Sequence, residues 1–323
     1  KHAIAFSNGT TAIHAGVVAS GFKDGDEAIT VPFTFVATAN PILMERGIIK
    51  FVDICEDDFC IDPEQVVEKI SDKTKLIIPV DLYGQVYKYQ EVKKIIGGRD
   101  IKILEDACQA VGAEQDGMKA GHFGDVAVFS LYATKNITTA EGGMLVTDDD
   151  EMARKAKIYR HHGQDEAVTY EYLELGNNYR ITDIAAAIGV EQMKKVDTIT
   201  NERKHNAKLL DEGLSGVKGL VIPKVMSNNS HVYHQYTIRI TEEYGHTRDE
   251  LRDFLKENEI GSGIYYPKPL HLHKHFRNLG YKEGDFPVSE KIAKQVLSLP
   301  VNPHVKKEEM EMMIDKIIEF SKK

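Results

Sequence analysis

Cysteine is scarce in this chain, with three among 323 residues. Cys55, Cys60 and Cys108 fall at no metal-ligand spacing and make no paired framework. A disulfide-stapled scaffold and a structural zinc site are therefore excluded, and a reducing cytoplasm is the expected setting. Each thiol is expected to be plainly buried or half-buried. Long apolar runs are missing too, since no stretch reaches the roughly eighteen residues of a membrane span. No long run of like charge occurs, and 41 basic residues stand against 50 acidic ones for a formal net charge of −9. That balance disfavours nucleic acid as a partner while leaving room for a local basic pocket around an anionic substrate. No signal-peptide pattern is visible, and the sequence begins at Lys1 without a methionine. What is present, 42% hydrophobic residues with ordinary charge content, describes a soluble globular chain with space for a large domain and a smaller one.

From Lys1 to about Thr147 short apolar strands alternate with amphipathic helices. The strand-like runs are Ala3 to Phe6, Glu27 to Val31, Ile49 to Asp53, Leu76 to Val80 and Ile103 to Asp106. The helical ones are Thr10 to Ser20, Phe35 to Arg46, Pro63 to Ile70 and Gln90 to Ile96. This alternation predicts βαβ units and a largely parallel sheet covered by helices on both faces. Ligands of such sheets gather beyond the carboxyl ends of the strands, where Thr10 and Asp106 fall. Asp149 to His161 reads as a helix with an acidic start, 163–178 as a polar loop, and Thr182 through about Leu214 as one long helix. Beyond it come a half-buried strand at Tyr233 to Ile240 and helices at Arg248 to Asn258 and Val305 to Phe320.

Two β-type runs, Val126 to Leu131 and Gly143 to Thr147, flank a polar segment carrying Lys135. On spacing alone Lys135 is a solvated loop residue. Two other segments change that. Ile103-Leu104-Glu105-Asp106 is a buried strand that ends in carboxylates. Asn8-Gly9-Thr10-Thr11-Ala12 is a strand turning into a helix through glycine and hydroxyl residues, and unpaired N–H groups at such a start suit a phosphate. A lysine able to form a Schiff base, a carboxylate for a pyridinium nitrogen and a phosphate cup are what pyridoxal phosphate requires of a protein.

The chain resembles the DegT/DnrJ/EryC1/StrS family of pyridoxal-phosphate-dependent sugar aminotransferases. The matching blocks run in family order over nearly the whole length: Asn8 to Ala12, Pro32-Phe33-Thr34-Phe35-Val36-Ala37-Thr38-Ala39-Asn40, Pro79-Val80-Asp81-Leu82-Tyr83-Gly84-Gln85, Glu105-Asp106-Ala107-Cys108-Gln109-Ala110, the Lys135 block, Asn178-Tyr179-Arg180-Ile181-Thr182-Asp183, and Tyr266-Pro267-Lys268-Pro269-Leu270-His271. The resemblance implies an α/β fold of the aspartate-aminotransferase-like fold type I, with a mostly parallel sheet sandwiched by helices in a large cofactor domain, 1–195. A linking helix and a smaller α+β C-terminal domain would occupy 196–323. In the family the strand resembled by Lys1 to Phe6 follows a leading helical segment, which is expected to be absent from this sequence.

By the same resemblance Lys135 carries the Schiff base and shuttles the proton, Asp106 pairs with the pyridine nitrogen, and Gln109 lies near the ring oxygen. Thr10, Thr11 and Ser130 hold the phosphate, although a helix cap would account for both threonines. Phe35 stacks on the ring, while an amphipathic-helix phenylalanine would instead be core. Asn178 reaches the phosphate from a second subunit, which implies a homodimer with shared active sites. Arg180, Tyr265 and Tyr266 match positions near the sugar-nucleotide site, where a guanidinium suits a diphosphate. His271, His273 and His275 alternate, but Pro267 and Pro269 argue for a loop there, and no metal is expected. The implied activity is transfer of an amino group from L-glutamate to a nucleotide-linked keto-deoxysugar, as in polysaccharide biosynthesis. Gln109 leans toward amination at C3. The alternatives are a cyclitol (inosose-type) aminotransferase and a non-catalytic cofactor-binding regulator. A sugar-dehydrating branch of the family replaces the lysine with histidine, and Lys135 sets it aside.

Overall fold

The computed structural model describes residues 1–323 apart from 166, 167 and 169. Its first element, β1 (His2–Phe6), leads into α1 (Gly9–Ala19) through Asn8, which is extended and accepts the Thr11 N–H at 2.9 Å. Thr11 answers by closing a capping box, which satisfies helix-start donors reciprocally. Helix α1 is apolar on nearly every side, with Ala12, Ile13, Ala15 and Val17 buried, because it is covered by the sheet on one side and another helix on the other.

The sheet continues with β2 (Glu27–Thr30), β3 (Ile48–Phe51), β4 (Thr74–Ile77) and β5 (Lys102–Asp106), then a short hairpin, β6 (Glu114–Gln115) and β7 (Met118–Lys119), then β8 (Val126–Ser130) and β9 (Gly143–Thr147). Between them lie α2 (Asn40–Met44), α3 (Pro63–Lys69) and α4 (Tyr89–Ile96), and α5 (Asp150–Arg160) follows. Seven strands pair in the order β1-β9-β8-β5-β4-β2-β3, with β9 antiparallel to both neighbours and the other pairs parallel. Both faces are covered. Ile29, Ile77, Ile103 and Phe123 belong to one core, and Ile13, Phe51, Leu104 and Val128 to the other.

The expected helix from Phe35 to Arg46 is interrupted. Phe35 is extended, Val36–Thr38 make a single 3-10 turn, and α2 starts at Asn40. Pro41 explains this, since it lacks an N–H and fits only a helix's first turn. The expected helix from Thr182 to Leu214 is also two: α6 (Asp183–Met193) and α7 (Val196–Leu214), parted at Lys194 and Lys195. The halves have different surroundings. Helix α6 buries no residue, whereas α7 buries Ala207, Leu210 and Leu214 in a further core. Of the polar 163–178 segment, residues 166, 167 and 169 lie outside those described; the rest includes bridges from Gln164 to Tyr172 and His161 to Asn178.

The remaining elements are β10 (Leu220–Val221), β11 (Asn229–Ser230), β12 (Tyr236–Ile240), α8 (Arg248–Glu257), α9 (Lys274–Arg277), α10 (Pro287–Gln295), β13 (Val296–Leu299) and α11 (Lys307–Phe320). Strands β10, β12 and β13 form a second sheet, and β11 pairs with β6. Strand β12 is buried along its whole length rather than on one face. Tyr236, Ile238 and Ile240 join Leu251, Met310 and Ile317 in the core, while Thr237 bonds Ser298 at 2.8 Å and Arg239 reaches Glu56 at 2.6 Å. Phe276 and Phe286, on and beside α9 and α10, pack against Phe51 under the large sheet. Among the described residues no helix is long and apolar enough to cross a membrane.

Candidate active site

Strand β5 ends at Asp106, β8 ends at Ser130, and α1 begins at Gly9. These three points border a cavity of about 490 Å³. The gathering has a steric reason. Gly9 lies so close to β8 that a Cβ there would stand 2.9 Å from Ser130 Cβ and 3.2 Å from Cys108 Sγ. The first N–H groups of α1, free of helical partners, thus open beside the Ser130 hydroxyl and the exposed Thr10.

Asp106 is 4% exposed and is held as an acceptor at both oxygens. Thr38 Oγ1 donates to Oδ2 at 2.7 Å and the Cys108 N–H donates to Oδ1 at 3.2 Å. Thr34 stands 3.0 Å behind Thr38, hydroxyl to hydroxyl. Across the cavity, Lys135 rides the loop between β8 and β9. That loop is anchored by the buried Ile137 and by Asn136, whose side-chain N–H donates to the Val232 carbonyl at 3.0 Å. Burial lowers the Lys135 ammonium below the usual lysine range, and the neighbouring Cys108 and Asp106 offset part of that. The ammonium has no hydrogen-bond partner among the described residues.

Gln109 accepts the Tyr83 N–H at 2.9 Å and donates to the Tyr266 hydroxyl at 3.4 Å. Tyr265 also lines the cavity, and its carbonyl accepts the Tyr83 hydroxyl. Phe35 is 56% exposed on its extended segment, 6.4 Å from the Tyr266 ring. The structure thus brings Thr10, Phe35, Asp106, Gln109, Ser130, Lys135, Tyr265 and Tyr266 around one cavity.

Three expected site residues stand apart from it. Thr11 is spent on the cap, its hydroxyl donating to the Asn8 carbonyl at 2.9 Å. Asn178 and Arg180 are exposed outside the lining, and Arg180 Nη1 contacts His161 Nδ1 at 2.7 Å. His271 is fully buried with Nε2 at 2.9 Å from Glu290, so it serves packing.

The cavity also exposes residues that motif reading passed over. Thr34 and Thr38 lie inside a quoted block, yet nothing local distinguishes their hydroxyls from capping groups. Glu141 lines the cavity from an exposed position. His234 and Gln235 arrive from the segment before β12, where a strand pattern concealed them. His234 is buried, its Nδ1 has no partner among the described residues, and burial followed by the Lys135 and Arg203 charges pushes its ring well below the usual histidine range.

These residues fit pyridoxal phosphate on three counts. A hydroxyl and free N–H groups meet at a helix start, a buried carboxylate faces the same space, and a half-buried amine without a hydrogen-bond partner among the described residues is within it. Residues 1–318 match the DegT/DnrJ/EryC1/StrS aminotransferase family. A "pleiotropic regulatory protein" of Geobacillus stearothermophilus is 42% identical over 325 residues, covering 99% of this chain and 85% of that protein. The GDP-perosamine synthase of Caulobacter vibrioides is 34% identical, covering 97% and 84%. The crystal structure of S. venezuelae DesV in complex with a ketimine intermediate superposes with a TM-score of 0.95 at 30% identity, covering 100% and 85%. The mostly parallel sheet and its flanking helices follow the aminotransferase architecture of fold type I. The chain belongs to the DegT/DnrJ/EryC1/StrS aminotransferase family.

Proposed function

We propose that this protein is a pyridoxal-phosphate-dependent transaminase that moves an amino group from L-glutamate to the keto group of a nucleotide-linked deoxysugar. One observation carries the reading: Lys135, with an amine whose proton affinity is lowered by burial, lies in the same cavity as the buried carboxylate of Asp106. Pyridoxal phosphate, bound there, supplies the carrier for the amino group and a sink for the electrons of the broken C–H bond. Asp106 keeps a negative charge beside the ring nitrogen, and Thr38 with Cys108 fixes its direction. Lys135, once its amine is free, would carry the proton between the substrate Cα and the cofactor carbon that bears the amino group, a task suited to a lysine brought toward neutrality. Ser130, Thr10 and the start of α1 would hold the phosphate, Gln109 would bind the ring's substituent oxygen, and Phe35 would offer a flat face.

Sugar-nucleotide synthesis by the Caulobacter relative supports the substrate class. Tyr265 and Tyr266 then lie where the sugar enters. Arg180 and Asn178 lie outside the cavity, and they serve the site in a homodimer in which each copy completes the other's. Helix α6 supports that assembly, since it leaves Ile184, Ile188, Val190 and Met193 exposed at 44 to 79%. The regulatory name of the Geobacillus relative favours no separate reading here, because Lys135, Asp106 and Ser130 are all in place.

The test is an absorption spectrum of the protein with pyridoxal phosphate, before and after L-glutamate, with Lys135→Ala in parallel. A lysine-dependent band that glutamate converts is the expected result. A wild type without that band would remove Lys135 from its role.

A further inference from the structure

Behind Asp106, on the side of β5 away from the cavity, lie two carboxyl groups that have no ion-pair partner among the described residues. Asp81 and Glu105 are both fully buried, and each is near enough to shift the other's titration. The groups bearing on them are Asp106, Tyr87, Cys60 and Cys108, none of them cationic. Their oxygens can be accounted for one at a time. Glu105 Oε1 accepts the Gly121 N–H at 2.7 Å and Oε2 accepts the Phe123 N–H at 2.8 Å. Asp81 Oδ1 accepts the Tyr87 N–H at 3.0 Å. Asp81 Oδ2 alone receives no donor. Two ionised carboxylates cannot share such a site, and the oxygen lacking a donor is the one able to be a donor itself. The segment that carries Asp81 frames Asp106: Val80 bridges to it, the Asp81 N–H donates to the Asp106 carbonyl at 3.1 Å, and the Asp106 N–H donates to the Pro79 carbonyl at 2.9 Å.

We propose that Asp81 and Glu105 share one proton, lodged on Asp81 Oδ2, and that this buried monoanion is a positioning device that fixes the backbone around Asp106 and keeps its surroundings negative toward the ring nitrogen. The second half rests on the cofactor reading given above; the first half stands without it. Burial raises both groups, Glu105 to about 6 and Asp81 well above the usual carboxylate range, in keeping with one retained proton at neutral pH. Asparagine in place of Asp81 copies this arrangement, its carbonyl accepting from Tyr87 and its amide donating to Glu105.

The first test uses cofactor-free protein. Its infrared spectrum at pH 7 should contain a protonated-carboxyl stretch that shifts in deuterium oxide and is missing from Asp81→Asn. Above the Glu105 value of about 6, and until Asp81 itself ionises, the native state holds one proton more than the unfolded chain, so the unfolding constant of the wild type should rise about tenfold per pH unit relative to Asp81→Asn. A stretch that persists in Asp81→Asn, or parallel pH dependences, would overturn the shared proton. The second test is pyridoxal phosphate binding. Asp81→Asn should bind within threefold of the wild type and Asp81→Leu at least tenfold more weakly; equal binding by all three would overturn the positioning role. If Asp81→Leu does not fold, Asp81→Ala takes its place with the same loss expected. A wild type that binds no cofactor through Lys135 would sink the transaminase reading and leave the infrared result standing.

Discussion

Thr38 donates its hydroxyl hydrogen to Asp106 Oδ2 at 2.7 Å, and Thr34 stands 3.0 Å behind it as the next hydroxyl in line. Both threonines sit where Pro41 stops a longer helix from forming, so the broken backbone delivers the donor. A hydrogen bond to a charged group contributes about 1.5–3 kcal/mol. Thr38→Val, which keeps the shape, should therefore weaken pyridoxal phosphate binding by roughly ten- to a hundredfold. Fluorescence titration checks this, and unchanged affinity would show that Asp106 does not need the donor.

Lys135 offers a test on the cofactor-free fold. Its pKa is lowered on folding, so the unfolded chain binds the extra proton and the native state carries a penalty at neutral pH. The penalty fades as pH rises toward the ordinary lysine value. Lys135→Met should melt a few degrees higher at pH 7, on the order of what a 1 kcal/mol gain produces, and the gain should shrink toward pH 10 by calorimetry. A lower melting temperature at pH 7 would contradict the burial penalty.

Acid should unfold the protein through two histidines. Burial pushes His231 down to about 3 and His234 well below the usual range. Both are neutral in the fold yet protonate in the unfolded chain below about pH 6.5, so stability falls as pH drops from there, by about 1.4 kcal/mol per unit for each. Urea midpoints from pH 6.5 to 4.5 measure the slope. His231→Gln should flatten it by about one proton's share.

The exposed apolar face of α6 yields an assembly test. Ile188→Asp places a charge amid Ile184, Val190 and Met193. Sedimentation should show the wild type as a dimer and the variant shifted to monomer by at least tenfold in dissociation constant. Because α6 buries nothing within its own chain, melting of the monomer should change little.

Gly143 tests the seam between β1 and β9. An added Cβ would collide with the Asn8 carbonyl and carbon, which are backbone and cannot swing aside. Gly143→Ala should cost about 1–3 kcal/mol, the usual range for overpacking. It should also disturb the cap of α1, so cofactor affinity is expected to fall along with the melting temperature.

The order of the large sheet's strands and of the helices between them was legible in the sequence, the β6–β7 hairpin apart, because each of those elements writes its burial pattern into its own residues. Asp106 was legible as a carboxylate at the end of a strand, whereas Ser130 and Lys135 were picked out by the family resemblance, Lys135 being a loop residue on spacing alone. Local patterns stop at the residue's own neighbourhood. They could not say that Thr10 would line the cavity while Thr11 turned to Asn8, for both suit a helix start equally. Nor could they show that α6 and α7 part at Lys195, because each half keeps a helical pattern and only the second has a core to enter. The hydroxyl line from Thr34 to Asp106, the arrival of His234 beside Lys135, and the meeting of Asp81 with Glu105 were decided by the tertiary structure alone. In each, groups from separate strands and loops are driven together by burial of the apolar residues around them, and their polar atoms find partners, or lack them, only once that packing is complete.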